Sequence, residues 1–258
     1  MQCNDSLFEL IREYFKEYDK FSQKGFKEKK AVENFDISAF GGDITILTSD
    51  NEDEITHVKG NRVVAENVYD DIKLVFGDDE RYNFSVQSSS GDITIKKLIA
   101  NQLFVKSATG DVNLENCQID QLAISSGHCD VHLKNVVAKK LLVNVAGKGE
   151  VKAKNVLSND SCIEIDMGEI ILNNVAASDL LKTIIYLKGG IDGEDIAAKM
   201  VDIRTANGDI KLERTVFDDS IIISSDGDVK LETNKDCPVD DVYTESGDIK
   251  VKYFKKKK

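Results

Sequence analysis

A short motif returns along this sequence at nearly constant spacing: Gly or another small residue, then an acid, then Ile or Val. Successive marker positions are 19 to 21 residues apart between Asp92 and Asp248. Such a period is typical of repeat proteins, in which each copy is stable only against its neighbours. The marker column consists of Asp92, Asp111, Asp130, Glu150, Glu169, the degenerate member Gly190, Asp209, Asp228 and Asp248, after an earlier copy at Gly42-Asp43.

The residues after each marker alternate between apolar and polar, as in a half-buried strand. The first inward column is Ile93, Val112, Val131, Val151, Ile170, Ile191, Ile210, Val229 and Ile249. A second inward column precedes the glycine, at Val86, Val105, Ile124, Val143, Ile163, Ile184, Ile203, Ile222 and Val242. A unit of this length fits two or three short strands with their corners. The sequence therefore predicts an all-β, single-stranded parallel β-helix, a solenoid with rungs of about 19–20 residues stacked about 4.8 Å apart.

The Gly-acid pair is interpreted as a structural corner. Gly supplies a positive φ, and we expect the acid to accept hydrogen bonds from backbone N–H groups of its own turn. Stacked carboxylates repel one another, and nearby outward lysines should reduce that repulsion. These lysines are Lys96, Lys152, Lys211, Lys230 and Lys250. A cation-binding acidic ridge is the alternative, although the calcium-binding nonapeptide repeat of β-rolls is not present.

One polar column supports the stack. Asn116, Asn135, Asn155 and Asn174 recur at the same offset in four consecutive rungs. Amides one rung apart can bond to one another along the axis, so an asparagine ladder is predicted. Ordinary turn asparagines are the alternative, and the two interpretations are compatible.

The ends of the chain depart from the repeat. Residues 1–30 are predicted to hold an amphipathic helix over 5–24, with a capping box at Ser6 and Glu9, that caps the first rung. A partner-binding or membrane-surface helix is the alternative. The β-helix domain covers 31–252: antiparallel strands over 31–90, with a hairpin turn at Gly60-Asn61, lead into regular rungs over 91–252. A basic tail, 253–258, follows.

Composition excludes several classes of function. The net charge of −12 disfavours nucleic-acid partners, although the terminal lysines could contact an anionic surface. Five cysteines, an odd number without a Cys-x-x-Cys motif, predict reduced thiols. No signal peptide or transmembrane segment is evident, so we expect a cytoplasmic protein. The cell envelope or surface is the alternative if this sequence is part of a longer chain.

The sequence offers little catalytic chemistry. In "GHCDVH", His128, Asp130 and His132 lie on one strand face, but alternate residues are about 6.6 to 7 Å apart, so these three are not predicted to share an ion. Polysaccharide hydrolases built on β-helices need paired carboxylates and groove-forming loops, and neither is apparent here. No catalytic, cofactor-binding or metal-binding residue is predicted, and the chain is predicted not to be an enzyme.

Five segments, "SSSGDITI", "SATGDVNL", "TANGDIKL", "SSDGDVKL" and "TESGDIKV", resemble the adhesin-like β-strand-repeat domains of bacteria, a family of unknown function. The resemblance covers roughly residues 36 to 252 and implies a non-catalytic scaffold or binding module with a right-handed coil. It transfers no functional residues. A regular coil without a convergent polar pocket favours presentation of a flat β-face to a protein or glycan partner. The alternatives are a self-associating β-helix like the bactofilins and a polysaccharide-active enzyme.

Overall fold

A computed structural model describes residues 34–48, 62–67, 72–76, 82–237, 239 and 241–254. In these residues the chain is an all-β parallel solenoid of about nine turns without a helix. The predicted cap over 5–24 and the turn at Gly60-Asn61 lie outside the described residues. Within the described ranges no helix could cross a membrane. The hand of the coil stays a prediction.

Fourteen strands form one continuous sheet that winds around the core. They are β1 (Asn34–Ala39), β2 (Ile44–Thr48), β3 (Arg62–Asn67), β4 (Ile72–Phe76), β5 (Tyr82–Ser88), β6 (Ile93–Lys96), β7 (Ile99–Ser107), β8 (Val112–Ser126), β9 (Val131–Lys188), β10 (Ile191–Asn207), β11 (Ile210–Asp226), β12 (Val229–Asn234), β13 (Val242–Ser246) and β14 (Ile249–Phe254). The 58 residues of β9 exceed one repeat severalfold, because ladder pairing continues through the corners of successive rungs.

The register follows the sequence repeat. Val112 pairs with Val131, Ile191 with Ile210, and Ile210 with Val229, each 19 residues apart. These side chains are at most 1% exposed, as is Val151 in the next rung of β9. Equivalent aliphatic side chains therefore stack along one axis, and the predicted core is confirmed for the first inward column up to Val229.

The second inward column needs one correction. Ile203 pairs with Thr183, which is fully buried, whereas Ile184 pairs with Arg204 and faces outward. The repeat is longer here, and the pairing of β9 with β10 shifts register between Ala198 and Met200. A one-residue shift moves a strand side chain to the opposite face, so assigning Ile184 to the core was wrong.

The first rungs are parallel, not antiparallel as predicted. β1 pairs in parallel with both β3 and β5, and β2 pairs in parallel with both β4 and β6. The rung of β1 and β2 thus lies between that of β3 and β4 and that of β5 and β6. Alternation of side chains specifies strands but not their direction, which is why the pattern misled the prediction.

The two ends differ in their side chains. Near the start of the coil Phe35 stacks on Phe84 at 5.2 Å between ring centroids, and Tyr82 packs edge-on against Phe35 at 4.9 Å. In the last rung Ile249 occupies the first inward column but is 43% exposed. Among the described strands none pairs with the outer edge of β14.

Candidate functional site

The corner glycines are required by close stacking. A Cβ atom added to Gly110 would lie 2.1 Å from the carbonyl oxygen of Gly91, and one added to Gly91 would lie 2.0 Å from that of Gly42. No side chain fits at that distance without backbone movement. The expected positive φ occurs at some of these glycines, such as Gly168 with a φ of 128°, but the close approach is shared more widely.

The corner acids bind the next rung. Asp92 Oδ1 accepts a hydrogen bond from the backbone N–H of Asp111 at 2.9 Å, and Asp111 Oδ1 accepts one from Asp130 at 3.0 Å. Asp130 Oδ1 in turn accepts the N–H of Glu150 at 2.8 Å. The expectation that each acid bonds within its own turn was therefore wrong, because the stacked N–H of the neighbouring rung lies within reach.

This acidic ladder is interrupted and then resumes. Glu150, Glu169 and Gly190 replace three consecutive aspartates. Beyond them, Asp209 Oδ1 accepts a hydrogen bond from the backbone N–H of Asp228 at 2.8 Å, and Asp228 Oδ1 accepts one from that of Asp248 at 3.1 Å. The bond from the Asp248 N–H, together with Lys230, lowers the pKa of Asp228. A shallow groove of about 240 Å³ lies beside Gly190, where the column lacks a side chain.

The outward lysines neutralise only part of the column. Lys230 lies 3.6 Å from Asp228, and Lys250 lies 3.8 Å from Asp248. Lys152 pairs with Glu150, and this contact raises the pKa of the lysine. Lys96 and Lys211 depart from the expectation, since Lys96 pairs with Glu115, and Lys211 with Glu213 and Asp192, rather than with the corner acids of their own rungs.

The four predicted asparagines lie in one row. Asn135 donates to Asn116 Oδ1 at 2.7 Å, Asn155 to Asn135 at 2.8 Å, and Asn174 to Asn155 at 2.9 Å. Each also has a left-handed backbone, with φ between 53° and 57°. Asparagine tolerates this conformation better than most residues, so one residue type provides both the corner and the ladder.

The same column continues beyond the asparagines, although the sequence did not predict this. Lys97, Asp195 and Arg214 also have positive φ, of 56°, 55° and 49°. Arg214 binds Asp195 through Nε at 2.6 Å and Nη2 at 2.9 Å, and it also contacts Glu194. Arg214 thereby lowers the pKa of Asp195. Their position could have revealed them, because these three residues and the four asparagines each lie five positions after a marker residue.

One mixed cluster of potential ligands occurs in the described residues. Donor atoms of Asp130, His132 and Glu150 lie within 4.8 Å of one another. His132 Nδ1 lies 3.1 Å from Asn113 Oδ1, and Nε2 lies 4.0 Å from Glu150 Oε1. His128, which the sequence placed near this group, is exposed and not part of it.

Burial raises the pKa of three of the four described cysteines. Cys117, Cys129, Cys162 and Cys237 are free, and burial raises the pKa of Cys117 and of Cys162 to about 11. Burial also raises the pKa of Cys129. Thiols with such pKa values stay protonated at neutral pH and are poor nucleophiles.

A family model described as Toastrack DUF4097 matches residues 96–185 and 143–258, more than half of the chain. The chain belongs to the Toastrack family. The two Toastrack matches overlap, as expected where one family model aligns with successive stretches of a regular repeat. This is a domain of unknown function, so the family adds no activity. No curated protein and no solved structure matches the chain.

Proposed function

We propose that this Toastrack chain is a non-catalytic scaffold that binds a protein partner on one outward face. The face consists of the outward side chains of the strands that precede the corner glycines, and it is called the upstream face below. The outward side chains that follow the corner acids form the downstream face.

Exposed apolar side chains on the upstream face carry the proposal. Phe104 and Leu142 are 54% and 46% exposed and lie in one row, separated by Ala123. Tyr186 and Tyr243, 47% and 52% exposed, extend the face towards the last rung. Aromatic and apolar side chains held on a rigid sheet are typical of protein interfaces. The aliphatic members favour a protein over a glycan.

The downstream face offers a contrast. Its outward positions are mainly charged and form pairs such as Lys134 with Glu115 at 2.6 Å and Lys211 with Glu213 at 2.8 Å. Exposed ion pairs of this kind stay hydrated and contribute little to association. The upstream face also has ion pairs, Lys182 with Glu164 and Arg204 with Asp202, but the exposed apolar side chains lie there, so it is the better candidate for binding.

The non-catalytic part of the proposal is supported by the polar groups. Burial raises the pKa of Cys117, Cys129 and Cys162, and corner carboxylates such as Asp92 and Asp111 are engaged by backbone N–H groups of the next rung. Screening acidic polysaccharides for cleavage, with and without calcium, tests the enzyme alternative. Cleavage by the purified chain would overturn this part of the proposal.

Site-specific photo-crosslinking in cells tests the binding face. A benzophenone amino acid is placed at Phe104 or Leu142, and at Lys211 on the downstream face as the matched control. We expect a discrete protein adduct from the first two positions and none from the third. Equal adducts from both faces, or no adduct from either upstream position, would contradict the proposal.

End-to-end self-association is a second candidate. Val229 in the penultimate rung is fully buried, whereas its partner Ile249 is 43% exposed, so the last rung presents core positions to solvent. A second copy could cover them. Light scattering over a range of concentrations should then show growth that Ile249→Lys abolishes, and a strict monomer would exclude this candidate. A role in adhesion rests on the sequence resemblance alone.

A further inference from the structure

The cluster of Asp130, His132 and Glu150 joins two rungs. Asp130 and His132 are two residues apart on one rung, and Glu150 is the corner acid of the next. Along a single strand, alternate residues are too far apart to share an ion, which is why the sequence did not predict this cluster. Stacking brings the third ligand from the neighbouring rung, at about the 4.8 Å spacing of paired strands.

Two departures from the repeat coincide here. In the column that contains His132, the preceding rung has Asn113, and later rungs have Lys152, Lys211 and Lys230. At the corner, Glu150 replaces the aspartate of the preceding rungs. The extra methylene extends the Glu150 carboxylate towards His132, so both changes add to one site.

The imidazole of His132 is oriented for coordination. An amide oxygen only accepts hydrogen bonds, so Nδ1 carries the proton and donates it to Asn113 Oδ1 at 3.1 Å. The other nitrogen, Nε2, is buried and has no hydrogen-bond partner, although the ring as a whole is partly exposed. Metal-binding histidines characteristically donate one ring N–H to an oxygen and direct the other nitrogen at the ion.

The charges of the cluster favour a cation. Asp130 and Glu150 bring two negative charges against the single positive charge of Lys152, and Nε2 of His132 lies 4.0 Å from Glu150 Oε1. Asp130 Oδ1 is held by the Glu150 N–H, which fixes the position of this carboxylate. Lys152 contacts the same oxygen, Glu150 Oε1, and would compete with an ion for this carboxylate.

We propose that Asp130, His132 and Glu150 bind a divalent transition-metal cation of the Zn²⁺ class. One imidazole nitrogen with two carboxylate oxygens suits Zn²⁺ better than Ca²⁺ or Mg²⁺, which prefer oxygen alone. With bonds of roughly 2.0 to 2.2 Å, donors around a tetrahedral ion are about 3.4 Å apart. Side-chain rotations that shorten the donor separations, now up to 4.8 Å, by at most about 1.4 Å close the cluster to that size, and water completes the coordination. The site does not depend on the partner-binding face.

Calorimetric titration of the purified full chain with Zn²⁺, in buffer with a non-coordinating reductant, tests the proposal. We expect one ion per chain. His132→Asn introduces the residue already present at position 113 of the same column, so the fold should survive while the affinity falls by at least about tenfold. Glu150→Asp restores the aspartate of the repeat and should weaken binding similarly.

Three controls distinguish zinc binding at this site from binding at another histidine or a cysteine and from damage to the fold. His128→Asn removes an exposed histidine outside the cluster and should leave binding unchanged. Lys152→Ala removes the competing ammonium group and should tighten binding, which damage to the fold would not do. With Co²⁺ as the probe, the spectrum should lack a thiolate charge-transfer band. No binding by the wild type, unchanged binding by His132→Asn, or a thiolate band would each overturn the proposal.

Discussion

Two corners of each rung, the Gly-Asp corner and the asparagine corner, are stabilised differently. At the Gly-Asp corner the side chain of one residue must be absent, because the carbonyl of the neighbouring glycine occupies its place. At the asparagine corner the backbone must be left-handed, and this is kept at Lys97, Asp195 and Arg214 although the side chains change. The coil therefore tolerates interruptions of its side-chain ladders better than changes in corner geometry.

The largest effect is expected from Gly110→Ala. The new Cβ would lie 2.1 Å from Gly91 O, so the backbone of two rungs must separate, at a cost of about 3 kcal/mol or more. Urea denaturation measures the loss. Gly190→Ala is the matched control, because the nearest atom to its Cβ is Asp209 O at 3.4 Å, and its effect should stay within about 0.5 kcal/mol. Equal losses would refute the steric explanation.

An intermediate effect is expected from Asn135→Ala. Alanine disfavours the left-handed φ of 53° by about 1 kcal/mol and removes the two amide bonds to Asn116 and Asn155, each worth about 0.5 to 1 kcal/mol. Asn135→Gly loses the same bonds but accepts the backbone, so it should be the less destabilising variant. If both variants unfold at the same urea concentration, the backbone contributes nothing and the comparison of corners fails.

The smallest effect is expected from the double variant Asp195→Asn, Arg214→Asn, which extends the amide row. The ion pair is about half exposed, so stability at pH 7 should change by less than about 1 kcal/mol. Arg214 lowers the pKa of Asp195 in the folded state. The ion pair therefore contributes to the free energy of unfolding above the unfolded-state pKa of Asp195, and this contribution is lost as the pH falls below about 4.

Thermal melts at several pH values check this. The difference in melting temperature between the wild type and the double variant should shrink on acidification, and also in about 1 M salt, which screens exposed charges. A difference that persists at low pH would mean that the ion pair does not carry it.

The sequence predicted the repeating part of the molecule well, because each rung repeats the same local pattern. The spacing of Val112 and Val131 specified both the strand and its partner. The pattern was least informative where one rung is longer than the others. Ile184 is apolar and was predicted to face the core, but the shift in register turns its side chain outward. The parallel pairing of strands β1 to β6 likewise could not be predicted, because alternating side chains do not specify strand direction.

The candidate site was harder to predict than the fold. Asparagines at equal offsets were recognisable because they are identical, whereas Asp195 and Arg214 occupy the same place with different chemistry. The cluster of Asp130, His132 and Glu150 depends on contact between rungs, which neither residue type nor strand spacing reveals without the register.

The exchanged order of the first rungs constrains how the chain folds. Along most of the coil, contacting residues are about 19 positions apart, and folding can propagate from one rung to the next. Phe35, by contrast, meets Phe84 49 residues later, so a longer loop must close before that contact forms. A nascent chain can pair β3 with β1 as both emerge, but β5 must then join the opposite edge of β1, so the direction in which the coil grows reverses once at this end.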